Sequence, residues 1–429
     1  MKRLATTEPG FAAAFDALLS AARETTERVD QPVAAIIADV RARGDAALID
    51  YSARFDRVEL TADTIRIADA AIDAATAAIA APLMAALNLA AARIESFHRL
   101  QLPTDIRATD ESGLTLGMRW GALDAVGIYV PGGKAAYPSS VLMNAIPARV
   151  AGVARVAMCV PTPGGVLNPL VLAAARRAGV NEIYRIGGAQ AVAALAYGTE
   201  TIAAVDRIVG PGNAYVAEAK RQVFGWVGID GIAGPSEVVI LADASNDPRH
   251  VAIDLLAQAE HDEAAQSILI TNDAAFAGAV IAAVETELLG IPRADIARES
   301  WDAHGAVIVV RDWDEAVALV NRLAPEHLQL MLPEPEAVFA RVRHAGAAFL
   351  GPWCPEAVGD YIAGPNHVLP TGRTARFASG LSVYDFLKRT TWVAADQGSL
   401  RQIGPAAVAL AEAEGLTAHA RSIALRLGQ

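Results

Sequence analysis

Cysteine is nearly absent from this chain of 429 residues, which contains only Cys159 and Cys354. Two thiols cannot form a disulfide framework or a four-thiolate zinc site. Cys159 lies in the apolar, strand-like run 155–160, so we expect it to be a small core residue. The scarcity of thiols favours a reducing compartment, and we expect the protein to be cytoplasmic.

An excess of positive charge is also missing. The formal net charge is −12, which argues against a nucleic-acid-binding surface and leaves small-molecule chemistry open. No apolar segment follows Met1-Lys-Arg, so no signal peptide is expected. The uncharged stretch 74–92 is mostly alanine and contains Pro82 and Asn88, which favours an alanine-rich helix pair over a membrane span. We therefore expect no membrane partner.

Neither a Gly-x-Gly-x-x-Gly fingerprint nor a Walker loop is present. Three glycine-rich segments do follow strand-like runs: Tyr129-Val-Pro-Gly-Gly-Lys134, Gly187-Gly-Ala-Gln190 and Gly210-Pro-Gly-Asn213. Such strand-to-helix turns expose backbone amides to anionic or nucleotide ligands. Ordinary tight turns fit the same pattern, and the pattern alone leaves both interpretations open.

Strand-like and helix-like runs alternate along most of the chain. Apolar strands are predicted at 126–130, 156–160, 183–186 and 208–209, with helices between them, and a second alternation begins at Glu237. This rhythm is typical of parallel sheets covered by helices. The predicted fold class is α/β, with two successive Rossmann-like parallel-sheet units and helical N-terminal and C-terminal extensions.

Several polar groups could carry chemistry. Glu326 and His327 are adjacent in Ala324-Pro-Glu-His-Leu328, where they form either an acid/base pair or a solvated turn. Gln258 and His261 are three residues apart in a helical run, a spacing that could share a metal ion or belong to an ordinary surface. The segment 359–367 has no strand or helix period, and a polar loop of this kind is often functional.

Taken in order, these segments resemble the histidinol dehydrogenase family over essentially the whole chain. The motifs that carry the resemblance are Tyr129-Val-Pro-Gly-Gly, Tyr137-Pro-Ser-Ser-Val-Leu-Met-Asn-Ala, Gly187-Gly-Ala-Gln-Ala, Gly210-Pro-Gly-Asn, Ala233-Gly-Pro-Ser-Glu, Ala257-Gln-Ala-Glu-His-Asp, Ala324-Pro-Glu-His-Leu and Gly359-Asp-Tyr with Gly364-Pro-Asn-His-Val-Leu-Pro-Thr371.

The resemblance implies a set of site residues. It implies zinc ligands at Gln258, His261, Asp360 and His419. It implies substrate contacts at Ser236, His327 and Glu414 together with those four ligands, and NAD contacts at Tyr129, Gln190 and Asn213. It also implies one zinc ion per subunit and an intertwined homodimer, in which Glu414 and His419 act in the partner's site.

The resemblance further implies a domain division and a reaction. The division is an N-terminal helical arm (1–25), a first α/β domain with the zinc and catalytic residues (26–125 plus 237–378), a second, NAD-binding α/β domain (126–236) and a C-terminal dimerisation segment (379–429). The reaction is the last step of histidine biosynthesis, the oxidation of L-histidinol through L-histidinal to L-histidine with two NAD. His327 would accept a proton in each oxidation and Glu326 would activate water for the aldehyde step.

Two positions depart from the family pattern: Cys354 replaces a small hydroxyl residue and Arg373 replaces a frequent glycine. Neither is an implied functional position. Two other functions remain open. One is a paralogous zinc and NAD alcohol dehydrogenase acting on another alcohol, such as a sulfonated propanediol. The other is a zinc hydrolase with Glu326 as the base.

Overall fold

The computed structural model describes residues 1–20, 29–132, 137–232 and 234–429. The end of the glycine-rich segment after Tyr129, Ala233 and the predicted boundary between residues 25 and 26 lie outside this part of the chain. The strands are β1 (Lys2–Ala5), β2 (Ile106–Thr109), β3 (Thr115–Ala122), β4 (Ala125–Tyr129), β5 (Arg155–Cys159), β6 (Glu182–Tyr184), β7 (Arg207–Val209), β8 (Gly228–Ile229), β9 (Glu237–Ala242), β10 (Gln266–Thr271), β11 (Ala306–Val309), β12 (His327–Met331), β13 (Ala347–Leu350) and β14 (Leu387–Ala394).

The helices begin and end between these strands. They are α1 (Phe11–Ser20), α2 (Asp30–Arg43), α3 (Asp45–Tyr51), α4 (Ala62–Ile65), α5 (Asp69–Ala77), α6 (Ala81–Arg99), α7 (Pro138–Ala151), α8 (Pro169–Ala178), α9 (Gly188–Tyr197), α10 (Ala214–Val223), α11 (Pro248–Ala259), α12 (Ala274–Glu287), α13 (Ala294–His304), α14 (Trp313–Leu323), α15 (Pro335–Phe339), α16 (Glu356–Tyr361), α17 (Gln397–Ala413) and α18 (Thr417–Ala424). Asp247, Asp273 and Asp312 accept hydrogen bonds from backbone N–H groups of the first turns of α11, α12 and α14, which fixes where these helices start.

The larger sheet has the order β1-β11-β10-β9-β12-β13, and every pair in it is parallel. Its strands are rich in valine, isoleucine and leucine because helices cover both faces. The predicted α/β fold is confirmed. Besides helix α1, the predicted N-terminal helical arm contains a short strand that was not predicted, Lys2–Ala5, which pairs with β11. This short, charged edge strand lacks the apolar alternation by which strands are recognised in sequence.

The smaller parallel sheet has the order β6-β5-β4-β7-β8. Strands β5 and β6 follow β4 in the chain and lie on one side of it, whereas β7, the next strand, pairs with the other side of β4. The carboxyl ends of β4 and β7 therefore meet at a reversal of strand order, where open α/β sheets bind ligands. Tyr129 ends β4 and Gly210 follows β7.

The helices between residues 29 and 99 pack on this smaller sheet. Val33 and Val40 of α2 share a buried cluster with residues of α9, and Leu87 and Ile94 of α6 share one with residues of α7. Helices of the predicted group 26–125 therefore contact the predicted second domain, 126–236. Helical periodicity in a sequence shows that one face is buried, but it does not show which sheet or helix covers that face.

A third, antiparallel sheet has the order β14-β3-β2. The predicted extended region 106–120 corresponds to β2 and β3, whereas β14 was not predicted in the C-terminal segment. All four residues of β2 and most of those of β14 are exposed in the single chain. No single helix of the described chain is long and apolar enough to cross a membrane; α5 and α6 pass that test only as a pair, bent by 114°.

Candidate active site

A cavity of about 620 Å³ lies between the two parallel sheets. Gly210 and Gly212, which follow β7, line one end of it, and Ser236, Glu326 and His327 line the other. Ser236 precedes β9 and Glu326 precedes β12, so the larger sheet presents the amino ends of its strands to the cavity. The smaller sheet presents a carboxyl end. The cavity can therefore hold a ligand that touches both units.

Glu326 is buried beside the start of β9. Its Oε2 accepts a hydrogen bond of 3.0 Å from the backbone N–H of Glu237, and the Ser236 hydroxyl bonds to the same carboxyl group. Burial raises the pKa of Glu326 well above its ordinary value, although the Glu237 N–H opposes the shift. A carboxyl group with a raised pKa is, once ionised, a stronger base than an exposed one.

His327 is the first residue of β12 and is 4% exposed. Its Nδ1 lies 3.1 Å from the carbonyl oxygen of Glu237 and 3.4 Å from Oε1 of Glu356. Because the Glu237 carbonyl can only accept, Nδ1 carries the proton and donates it. Nε2 is buried and has no hydrogen-bond partner in the described chain. Burial lowers the pKa of His327 to about 3, so the ring is neutral at neutral pH and Nε2 can accept a proton.

Glu356 is a member of the site that the sequence reasoning missed. It lies in the first turn of α16, and Asp360 is one turn later on the same helix. Ligand atoms of Glu356, Asp360 and His327 all lie within 4.8 Å of one another. Burial raises the pKa of Glu356 well above its usual range and that of Asp360 to about 6. The sequence did contain a signal for Glu356: it lies four residues before Asp360, a spacing that puts both acids on one face of a helix.

His367 is a second missed residue, although it belongs to the polar loop singled out in the sequence. Its Nδ1 lies 2.9 Å from the backbone oxygen of Asp360, and its Nε2 lies 3.4 Å from the Ser140 hydroxyl. Burial lowers the pKa of His367 to about 4. It lines the same cavity as Asp360, and its contact with the Asp360 backbone oxygen helps to hold the end of α16 that carries this carboxylate.

Gln258 and His261 do come together, with 3.3 Å between Nε2 of Gln258 and Nδ1 of His261. Helix α11 ends at Ala259, so His261 lies just beyond the helix and a turn, rather than a common helical face, brings the two side chains together. Oε1 of Gln258 is buried and has no partner in the described residues. His261 and Asp360 both line the cavity.

The side chains of Gln258, His261 and Asp360 form a donor set that fits a zinc ion. An amide oxygen left without a partner in a buried position costs free energy unless a ligand satisfies it, and Oε1 of Gln258 is such an atom. Imidazole nitrogen and carboxylate oxygen are both zinc ligands, and His261 and Asp360 supply them. The cluster of His327, Glu356 and Asp360 is a second possible metal-binding group, and it shares only Asp360 with the predicted set.

Glu414 and His419 do not line the cavity in the single chain. Glu414 follows α17, His419 lies in α18, and both are exposed. Within one chain, the structure therefore brings together three of the four predicted zinc ligands, with Ser236, Glu326 and His327 in the same cavity.

The predicted NAD contacts surround the strand reversal of the smaller sheet. Tyr129 is buried, and its hydroxyl oxygen accepts a hydrogen bond of 3.1 Å from the N–H of Gly188. Gln190 is buried two residues later in α9. Asn213 is exposed and caps α10, with Oδ1 accepting the N–H of Val216 at 3.1 Å. None of these three side chains lines the cavity, whereas the turn immediately before Asn213 does.

Comparison with known proteins gives a consistent result. The family model described as histidinol dehydrogenase matches residues 19–427. The chain is 66% identical to histidinol dehydrogenase from Gluconobacter oxydans over 100% of its own length and 99% of the relative's. It is 62% identical to the enzyme from Rhodospirillum rubrum, with the same coverage. The crystal structure of histidinol dehydrogenase from Elizabethkingia anophelis superposes with a TM-score of 0.95 at 36% identity, covering 100% of this chain and 98% of that one.

Proposed function

The chain belongs to the histidinol dehydrogenase family, and on that basis we propose that it oxidises L-histidinol through L-histidinal to L-histidine, the last step of histidine biosynthesis, using two NAD. The family match extends over nearly the whole chain, and the oxidoreductase assignment follows from it. The single observation that carries the mechanism is His327, which lines a cavity shared by both sheets and whose buried Nε2 has no partner in the described chain.

The alcohol oxidation requires a group that takes the hydroxyl proton as the hydride leaves. His327 meets this requirement, because Nδ1–H is held by the Glu237 carbonyl, with Glu356 3.4 Å away, while Nε2 stays free to accept. Its low pKa keeps the ring neutral before the reaction. Fixing Nδ1 sets the tautomer, as a carboxylate does for the histidine of a catalytic triad.

The aldehyde oxidation requires water to be added to the carbonyl carbon. Glu326 is placed for this role, since it lies next to His327 and its carboxyl group is held by the Glu237 N–H and by Ser236. Its Oε2 is 3.8 Å from Nδ1 of His327, so one cavity wall contains both a proton acceptor and a water activator. His327 would then take the proton released in the second oxidation.

Zinc and NAD are proposed as the two groups that complete this site. Gln258, His261 and Asp360 would hold the zinc ion together with His419 of a second subunit. A bound zinc ion would anchor the imidazole and amine nitrogens of histidinol and orient its carbinol carbon. NAD, the hydride acceptor, would bind at the glycine turn after β7, with Tyr129, Gln190 and Asn213 at the strand reversal. The cavity between the sheets supports this arrangement because it runs from that turn to His327.

The alternatives differ in substrate or in reaction class. A relative acting on a sulfonated propanediol would keep the fold, but the relatives compared above are histidinol dehydrogenases. A zinc hydrolase would need no NAD, and the family match opposes it. A cytoplasmic location is proposed together with the biosynthetic role, and the two cysteines, both free, are consistent with a reducing compartment.

We expect the zinc-loaded enzyme to produce two NADH for each histidinol consumed. The measurement is the absorbance of NADH at complete conversion of a limiting amount of histidinol, with histidine quantified in parallel. Removing the metal with a chelator should abolish turnover, and added zinc should restore it. A ratio of one, or turnover of a sulfonated propanediol in preference to histidinol, would contradict the proposed function.

The site is also proposed to be shared between two subunits. The exposed C-terminal helices support this, since Glu414 and His419 are exposed and do not line the cavity of their own chain. Leu410, Leu416 and Val393 add exposed apolar surface to the same segment. A C2 dimer would place the tail of each chain against the cavity of the other.

Subunit mixing tests the sharing. His327→Asn and His419→Asn should each be inactive, because each removes one component of every site. If sites are shared, a reassociated 1:1 mixture should regain about one quarter of the wild-type activity, since half of the dimers are mixed and each has one intact site. Sites contained in one chain would leave the mixture inactive. Mixing either variant with itself is the control.

A further inference from the structure

Lys220 is the only lysine or arginine in the described chain that is buried, with 2% of its surface exposed. It lies in α10, two turns beyond Asn213, and it lines the cavity. Its Nζ donates a hydrogen bond of 3.0 Å to the carbonyl oxygen of Gly210 and forms an ion pair with Asp230. A buried ammonium group needs such partners, because desolvation without them would be costly.

Asp230 holds the other side of the same glycine. Its Oδ2 accepts a hydrogen bond of 2.8 Å from the N–H of Gly210, and its Oδ1 accepts the N–H of Gly231 at 2.8 Å. Both backbone polar groups of Gly210 are therefore bound by one ion pair, its N–H by the carboxylate and its C=O by the ammonium. Gly210 has a φ of +108°, and a Cβ atom there would lie 2.1 Å from the carbonyl oxygen of Tyr129. The turn is thus fixed against the end of β4.

The ion pair lies in the wall of the cavity that holds the site residues. Lys220, Asp230, Gly210 and Ser236 all line this cavity. Gly234 lines it as well, and its N–H donates to the Thr371 hydroxyl at 2.6 Å. The glycine turn held by the ion pair therefore borders the same cavity as Ser236.

We propose that Lys220 and Asp230 are positioning residues for the hydride acceptor: the ion pair holds the Gly210-Pro-Gly-Asn213 turn in the conformation that binds NAD. This inference rests on the proposed function, which places NAD at that turn. The ammonium group is neutralised by Asp230 and directed to a backbone carbonyl, so it acts through the turn rather than as a direct phosphate ligand. Its loss should affect binding of NAD far more than binding of histidinol.

The test uses the zinc-loaded enzyme and the variants Lys220→Met, Asp230→Asn and the double variant. Each single variant should raise the KM for NAD about tenfold, while the affinity for histidinol, measured by calorimetry without NAD, changes less than about twofold. Because the two residues act as a unit, the double variant should be no worse than the poorer single variant. Arg221→Met, on the same helix but 61% exposed in its side chain, is the matched control and should behave as wild type.

Other outcomes would overturn the inference. Tighter NAD binding by Asp230→Asn would show that the freed ammonium binds phosphate directly. A lower melting temperature with an unchanged KM for NAD would show that the pair only stabilises the fold. If Lys220→Met does not fold, Lys220→Gln takes its place, because glutamine retains a donor for the Gly210 carbonyl. We expect the KM for NAD to rise in this variant too, though by less. An unchanged KM for NAD in Lys220→Gln would also refute the inference. Absence of NAD binding by the wild-type enzyme would instead refute the proposed function.

Discussion

Replacing His327 with asparagine should slow both oxidations by about 10²–10⁴-fold, the range typical of losing a general base. Asparagine can still donate a hydrogen bond from the position of Nδ1 to the Glu237 carbonyl, so the local structure should be retained. It cannot accept a proton as Nε2 does. Nε2 has no hydrogen-bond partner in the described chain, so the substitution breaks no described contact of that nitrogen.

The measurement is the rate of NADH formation from histidinol and, separately, from histidinal. Both rates should fall, while zinc content stays near that of wild type. His250→Asn, the same substitution at an exposed position of α11, is the control and should leave both rates unchanged. A variant that kept the wild-type rate on either substrate would rule out His327 as the proton acceptor for that step.

Replacing Glu326 with glutamine should impair only the aldehyde step, again by about 10²–10⁴-fold. The amide oxygen of glutamine can still accept the Glu237 N–H, as Oε2 does at 3.0 Å in the native protein, but the amide cannot take a proton from water. Alcohol oxidation depends on His327 and should proceed. Histidinal should therefore accumulate, and the NADH yield per histidinol should fall from two toward one.

The pH dependence gives this prediction an independent check. A carboxyl group is a base only when ionised, and burial raises the pKa of Glu326 well above its ordinary value. The rate of histidinal oxidation in the wild-type enzyme should therefore rise with pH as Glu326 ionises, and this limb should vanish in Glu326→Gln. Glu336→Gln, at an exposed position of α15, is the control. Normal histidinal oxidation by Glu326→Gln would show that another group activates water.

Many of the candidate site residues could be predicted from the sequence because they lie in short motifs. Glu326 and His327 are adjacent, and Gln258 and His261 are three residues apart, so local geometry alone brings each pair together. Glu356 was missed for the opposite reason. It lies 29 positions from His327 along the chain, and only the packing of α16 beside the start of β12 brings its Oε1 within 3.4 Å of Nδ1.

The strands of the fold also divide into those that the sequence predicted and those that it did not. Strands such as β9 and β10 are fully buried apolar runs, and the alternation of such runs with helices predicted two parallel sheets. The edge strand β1 and the exposed strand β14 have no such signal, since pairing with β11 and β3, rather than burial of an apolar face, makes them strands. Propensity and periodicity describe a segment, whereas pairing depends on a distant one.

By itself, the sequence determined the fold class and the family, and it singled out Glu326 and His327 as a candidate acid/base pair. Only the tertiary structure decided how these two differ. It holds Nδ1 of His327 against the Glu237 carbonyl and leaves Nε2 free, and it satisfies Glu326 through the Glu237 N–H. The backbone of Glu237, at the start of β9, thus orients both groups. The physical reason is that proton affinity depends on burial and on hydrogen-bond partners, and both come from parts of the chain about 90 residues away.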